Sequence, residues 1–199
     1  MILYAQRRPF RRVDVRQDLD QPRDPRFLKV NPIGKVPALL LEDGDVLTES
    51  GAILFFLARN TQLWPQDPRQ QTEALRWMFF EQYSHEPALA VLRYLKLFTK
   101  KMQGKATRIK ELEKKSRAAL DVLEHRLNNS DWMAGSVPTI ADYAIYPYTR
   151  LAGEISLSLE DWPSISNWLN RFEKLDYFLP IYSDAATEVI AFDEYFAMA

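Results

Sequence analysis

The amino-acid sequence predicts an α/β N-terminal part followed by an all-helical C-terminal part. Residues 1–60 alternate between strand and helix signals, whereas residues 71–199 carry apolar side chains at the three- and four-residue steps of amphipathic helices. Residues 61–70 (TQLWPQDPRQ) contain two prolines and little periodicity, which is typical of a linker. We therefore expect domains at 1–60 and 71–199, joined by 61–70.

Three short segments predict the strands and the helix of the N-terminal part. Residues 11–16 (RRVDVR) alternate charged and apolar side chains, as in a strand with one solvated face. Residues 38–41 and 45–47 are apolar runs on either side of an Asp-Gly pair, which favours a tight hairpin because both residues tolerate positive φ. Ser50 is a good N-cap for an amphipathic helix over residues 50–59.

The C-terminal part carries helical periodicity throughout. Residues 72–98 predict one long helix or two, because Pro87 lacks an amide proton and must bend or break a helix. Apolar side chains between Ile109 and Leu127 fall on one stripe that we expect to be buried. Further helices are predicted over 139–152 and 164–175, with a weaker one over 185–196.

Composition and charge exclude several classes of function. The chain has 199 residues with 26 Lys and Arg against 27 Asp and Glu, and a net charge of −1 does not suit a general polyanion binder. It has no Cys and two His, which excludes disulfides and thiolate ligands within the chain and argues against a metal site. Without a long apolar run or a secretion signal, we expect a cytoplasmic protein that does not bind membranes.

The dipeptide Val36-Pro37 stands at the start of a predicted strand. Proline gives up a sheet hydrogen bond there, and a cis Val36–Pro37 bond would direct the backbone N–H and C=O of Val36 outward, where an extended peptide could pair with them. Only about 5–6% of X-Pro bonds in folded proteins are cis, so a trans proline that blunts an edge strand is the alternative.

Glu49 and Ser50 precede the predicted helix of the N-terminal part. A helix N-terminus attracts a ligand carboxylate, and Glu49 is placed to take the ammonium that accompanies this carboxylate in an amino acid. The alternative is a plain N-cap with an acidic neighbour.

The order of these features resembles the cytosolic glutathione S-transferase family, bacterial type, and "NPIGKVP…LTES" carries the resemblance. The resemblance implies a thioredoxin-like N-terminal domain with a cis Pro37. By this resemblance, the backbone at Val36 would hold the cysteinyl part of glutathione. Glu49 and Ser50 would hold its γ-glutamyl amino and carboxylate groups, and Lys35 would meet its glycyl carboxylate.

Two motifs lie in the helical part. In "SVPTIADY", Thr139 and Asp142 have the spacing of a capping box, which the family also carries and to which we assign a structural role. In "EQYSHEP", which resembles a stretch of bacterial transferases, Tyr83 or His85 is a candidate contact for the acceptor substrate. A helix-surface or packing role for this stretch is the alternative, and we favour it.

The resemblance also implies a missing piece. Family members begin with a strand, a loop with the catalytic Tyr, Ser or Cys, and a helix, which take about 20 residues. Only nine residues precede Phe10, so we interpret 1–6 as the end of that helix and 10–16 as the second strand. The catalytic residue is then unknown, and the central strand is absent, which leaves two rows of backbone groups unpaired. A start at an internal Met of a longer product and a naturally shortened, inactive relative both explain this, and we favour the first.

The leading functional hypothesis is a homodimeric detoxification enzyme that, in a full-length form, conjugates the thiolate of glutathione to small apolar electrophiles held between the domains. The alternative is a non-catalytic interaction module of the same fold. Nucleic-acid binding through the basic residues 96–117 is a weaker third option, because this segment has a core face and few aromatic side chains.

Overall fold

A computed structural model describes residues 1–16, 20–99 and 104–198. The chain divides into two compact units, one formed by Met1–Leu57 together with Tyr177–Ala199 and the other by Ala58–Asp176. The predicted succession of an α/β part and a helical part is confirmed. The predicted boundary at the C-terminal end differs, because the last residues pack with the first unit.

The helices and strands follow in chain order. They are α1 (Ile2–Ala5), β1 (Arg11–Val13), α2 (Pro25–Val30), β2 (Ala38–Leu40), β3 (Val46–Thr48), α3 (Ser50–Ala58), α4 (Pro68–Phe80), α5 (Glu86–Arg93), α6 (Ala106–Leu127), α7 (Ile140–Arg150), α8 (Pro163–Phe172), β4 (Glu188–Ile190) and α9 (Phe192–Met198). Short 3-10 turns occupy Gln21–Arg23, Leu151–Ile155 and Leu159–Asp161.

The strands of the first unit form two pairs. The predicted hairpin is confirmed: β2 and β3 are antiparallel, with Ala38 opposite Thr48 and Leu40 opposite Val46. β1 pairs in parallel with β4, from Arg11 opposite Glu188 to Val13 opposite Ile190 in the register. β1 therefore has a partner strand where we expected its edge to be unpaired. The helix predicted over 185–196 is wrong in its first half, which contains β4 instead, and only its second half lies in α9.

The long helix of the second unit continues through Pro87. α4 continues into a π turn over Glu81–His85, then into α5, and then into a second π turn over Tyr94–Phe98. The N–H of Glu86 donates to the carbonyl of Glu81, five residues earlier. Because Pro87 has no N–H and its ring crowds the preceding turn, the wider π turn directly before it lets the helix continue.

The core of the second unit is built on α6, whose predicted stripe is confirmed. Its inward side chains are Leu112, Ser116, Ala119, Leu120, Leu123 and Leu127. Glu124 on the same helix accepts hydrogen bonds from the backbone N–H groups of Ser164 and Ile165, both at 2.9 Å, and so caps the start of α8. No helix among the described residues has the length and apolar character needed to span a membrane.

Candidate functional site

The β2–β3 hairpin brings the predicted ligand-binding residues to one of its own ends. Ala38 and Thr48 are the last opposed pair of the hairpin. Pro37 lies one residue beyond Ala38, and Glu49 lies one residue beyond Thr48, so both leave the hairpin at the same end. Lys35, Val36 and Pro37 together with Glu49 and Ser50 form what we call the cradle.

Val36 presents its backbone to solvent. The Val36–Pro37 peptide bond is cis, as the resemblance implied, and Val36 is 45% exposed. Within residues 1–16, 20–99 and 104–198, neither the N–H nor the C=O of Val36 has a hydrogen-bond partner. An extended peptide can therefore pair with both groups, as an added strand pairs with a sheet edge.

Asn31 holds the turn that leads into Val36, and the sequence reasoning did not identify it. Its side chain is buried, donates to the carbonyl of Lys35 at 2.6 Å and accepts from the N–H of Ile33 at 3.1 Å. The N–H of Gly34 donates to the Asn31 carbonyl at 2.9 Å. An Asn followed by Pro and Gly is a turn signal, and "NPIG" was the available clue.

Gly34 is required in this turn because its φ is positive and because the space beside its Cα is filled. Its φ is +66°, and a Cβ there would lie 2.8 Å from the carbonyl oxygen of Pro22. Gly44 is a matched control, because its φ is +92° but nothing lies within 4 Å of an added Cβ. We expect Gly44→Ala to cost about 1–2 kcal/mol of unfolding free energy from backbone strain alone, and Gly34→Ala clearly more. Urea unfolding measures both, and equal costs would contradict the assigned close contact.

Glu49 and Ser50 stand at the N-terminus of α3. The helix begins at Ser50, and its first backbone bond runs from the Ile53 N–H to the Glu49 carbonyl at 2.9 Å. Glu49, rather than Ser50, therefore occupies the capping position, which corrects the predicted N-cap. Glu49 is exposed and has a φ of +66°, a conformation that costs a non-glycine residue about 1–3 kcal/mol and is concentrated at binding sites.

The charges of the cradle are complementary to a zwitterionic ligand. In the described part of the chain, the carboxylate of Glu49 and the ammonium of Lys35 have no ion-pair partner, and both residues are exposed. The first amides of α3 have no partner within the helix and carry a partial positive charge. The cradle thus offers one carboxylate, one ammonium, a helix N-terminus and a free peptide edge.

Thr139 and Asp142 form the predicted capping box at the start of α7, which is confirmed. Asp142 is fully buried and accepts four hydrogen bonds. The donors are the Met133 N–H at 3.0 Å, the Thr139 N–H at 2.8 Å, the Thr139 hydroxyl at 3.2 Å and the Trp168 indole N–H at 3.0 Å. This carboxylate joins α7, α8 and the loop before α7.

Burial of Asp142 predicts a pH dependence of stability. Loss of hydration raises the pKa of Asp142 from 3.8 to about 6, against the opposing effect of its hydrogen-bond donors. The folded protein therefore holds the Asp142 proton more tightly than the unfolded chain does. The contribution of this carboxyl to the free energy of unfolding is largest below pH 4 and is lost as the pH rises through 6. We expect its contribution to fall by about 3 kcal/mol over this interval. Denaturant unfolding of wild type and Asp142→Asn at several pH values measures it, and parallel profiles would contradict it.

His85 is not placed to contact an acceptor substrate, which corrects that candidate assignment. Its side chain is fully buried in the second unit, and its Nε2 lies 2.9 Å from the Thr149 hydroxyl. The Thr149 hydroxyl donates to the Ile145 carbonyl at 2.9 Å, so it accepts from Nε2–H of His85. Of the helix-surface and packing roles that we favoured for this stretch, packing is the one observed for His85. Tyr83, two residues earlier, is 88% exposed.

Metal ligands do not cluster in the described ranges: no group of three His, Asp or Glu side chains there is arranged to hold a metal ion.

Comparison with known proteins assigns the family. The family model for the glutathione S-transferase N-terminal domain matches residues 2–59, and that for the C-terminal domain matches residues 77–176. A glutathione S-transferase of Pseudomonas fluorescens Pf-5 has a TM-score of 0.88 and 37% identity, with 92% of this chain and 90% of that chain covered. Glutathione S-transferase F10 of Arabidopsis thaliana is 30% identical over 173 residues, or 81% of this chain and 80% of that protein.

A third relative was solved with its ligand. The glutathione transferase of Burkholderia graminis, with two glutathione molecules bound per subunit, has a TM-score of 0.77 and 31% identity, with 88% of this chain and 78% of that chain covered. Both domains of one family are thus matched in the order in which that family carries them. The chain belongs to the glutathione S-transferase family.

Proposed function

We propose that the cradle binds glutathione. Glu49 pairs with the γ-glutamyl ammonium, and Ser50 with the first amides of α3 binds the γ-glutamyl carboxylate. The cysteinyl backbone pairs with the N–H and C=O of Val36 beside the cis Pro37, and Lys35 meets the glycyl carboxylate. The single observation that carries this proposal is the exposed, unpaired backbone of Val36 at the same hairpin end as Glu49.

The chemistry of the ligand supports this assignment. Glutathione is a short, extended peptide with one ammonium and two carboxylates, and the cradle offers a complementary group for each. The bound glutathione in the Burkholderia graminis transferase adds support from a relative.

A comparison of two ligands tests the proposal. N-Acetylcysteinylglycine lacks the γ-glutamyl ammonium and carboxylate, which are the partners of Glu49 and Ser50. It keeps the cysteinyl nitrogen as an amide facing Val36 and keeps the glycyl carboxylate facing Lys35. We expect calorimetric titration to show at least tenfold weaker binding of N-acetylcysteinylglycine than of glutathione, since one charge-assisted hydrogen bond contributes about 1.5–3 kcal/mol. Equal affinities would overturn the assignment of Glu49 and Ser50.

We further propose that the protein conjugates the glutathione thiolate to small apolar electrophiles, with Tyr83 as an exposed contact for the acceptor. Catalysis of this kind needs a group that favours the thiolate over the thiol. The rate of conjugation to an aryl halide, measured with glutathione saturating, separates this activity from the non-catalytic module. Acceleration over the uncatalysed rate supports a transferase, and binding without acceleration supports the module.

Homodimer formation and a cytoplasmic role in detoxification are also part of the proposal. Large apolar side chains exposed on the long helix from α4 to the second π turn support association of two copies, among them Phe79 at 70% and Phe98 at 59% exposure. Sedimentation equilibrium measures the oligomeric state, and a monomer at micromolar concentration would contradict the dimer.

A further inference from the structure

The chain's last residues complete the first unit. The segment Thr187–Met198, here called the C-terminal segment, contains β4 and α9. Its Thr187 donates to the Phe10 carbonyl through both its N–H and its hydroxyl, each at 2.8 Å, and β4 then pairs with β1. Ile190 is 3% exposed, so the strand also contributes to the core of this unit.

A second anchor joins the C-terminal segment to α2 through Arg26. The guanidinium of Arg26 donates to Asp193 at 2.8 Å and lies over the rings of Phe192 and Phe196, at 5.0 Å and 5.6 Å from their centroids. The same guanidinium donates to Asp24 at 2.8 and 3.0 Å, and these bonds lower the pKa of Asp24 to about 2. Arg26 thus fastens the start of α2 to α9.

α2 leads directly into the cradle. Its C-terminal residue is followed by Asn31, whose N–H donates to the Phe27 carbonyl at 2.8 Å. Phe27 is buried, and the Asn31 side chain holds the Lys35 carbonyl next to Val36. A short and fully hydrogen-bonded path therefore runs from Arg26 to the backbone that we assign to the cysteinyl group.

We propose that the C-terminal segment positions the cradle for glutathione, with Asp193 and Arg26 as the positioning residues. This inference rests on the proposed function, from which it takes glutathione as the ligand of the cradle. Docking of α9 on Arg26 fixes α2, and α2 fixes the turn that presents Val36. Because coupling between two sites is reciprocal, glutathione bound in the cradle also stabilises the docked C-terminal segment.

The test uses three full-chain variants. Asp193→Ala removes the ion pair, and Asp193→Ala/Phe196→Ala also removes one of the two rings. Glu194→Ala is the matched control, an exposed acid on the same helix with no ion-pair partner among the described residues. We expect the glutathione Kd to rise about threefold for the single variant, which loses an exposed ion pair. For the double variant, which also loses a cation–π contact, we expect a rise of about tenfold. The control is expected to match wild type.

Hydrogen exchange of the ligand-free protein provides an independent readout. The amides of Ile33 and Gly34, which are bonded to Asn31, are expected to exchange faster in Asp193→Ala/Phe196→Ala than in Glu194→Ala. Unchanged exchange at both amides would overturn the inference. Faster exchange in a chain that does not bind glutathione would uphold the coupling and reject only the proposed ligand. An unchanged Kd in the double variant, with wild type binding glutathione, would also overturn the inference.

Discussion

Replacing Glu49 by Ala is expected to weaken glutathione binding by about 10- to 100-fold. Its carboxylate has no ion-pair partner among the described residues, so the protein loses no internal bond and the ligand ammonium loses its counter-charge. A hydrogen bond to a charged group contributes about 1.5–3 kcal/mol, which is one to two decades in affinity. Calorimetric titration of the variant measures the change.

Glu42 provides the control for Glu49. It is an exposed acid of the same unit, in the hairpin turn rather than at the cradle, and Glu42→Ala alters net charge in the same way. We expect wild-type affinity for Glu42→Ala. A similar loss in both variants would assign the effect to long-range charge, and no loss in Glu49→Ala would remove Glu49 from the cradle.

Replacing Asp142 by Ala is expected to cost about 4 kcal/mol of unfolding free energy at pH 7. The substitution leaves the buried N–H groups of Met133, Thr139 and Trp168 without acceptors, at about 1–3 kcal/mol for each unsatisfied group. It also releases the loop before α7 from α8. Urea unfolding measures the loss.

An exposed cap serves as the comparison for Asp142. Asp67 caps α4 by accepting from the Gln70 N–H at 2.9 Å, but it lies at the surface, where water can replace it. Asp67→Ala is therefore expected to cost about 1 kcal/mol. If Asp142→Ala cost no more than Asp67→Ala, the four-bond role of Asp142 would be wrong.

Local sequence signals predicted the elements whose cause is local. The Asp-Gly pair marked the hairpin, the three- and four-residue steps marked α6, and the Thr-x-x-Asp spacing marked the box at α7. The cradle residues were assigned through the resemblance to the glutathione S-transferase family, which the order of such signals along the chain carries. Asn31 was missed because its role is to hold a turn, and a single buried Asn has no periodic pattern.

The C-terminal segment could not be predicted in the same way. β4 spans only three residues, Glu188–Ile190, and pairs with β1, which lies more than 170 residues earlier in the chain. No local sequence pattern can therefore predict this pairing. The π turn over Glu81–His85 was also missed. Sequence showed that Pro87 must disturb the helix, but whether a helix breaks or widens depends on the packing around it.

The most direct test of the central claim is a calorimetric titration of glutathione into the 199-residue chain. The cradle predicts saturable binding of one glutathione, with a Kd between about 1 µM and a few millimolar. Saturation that disappears in Glu49→Ala would place the ligand at the cradle of Lys35–Pro37, Glu49 and Ser50. A titration with no saturable heat at about 10 mM glutathione would contradict the claim that this hairpin end is a glutathione site.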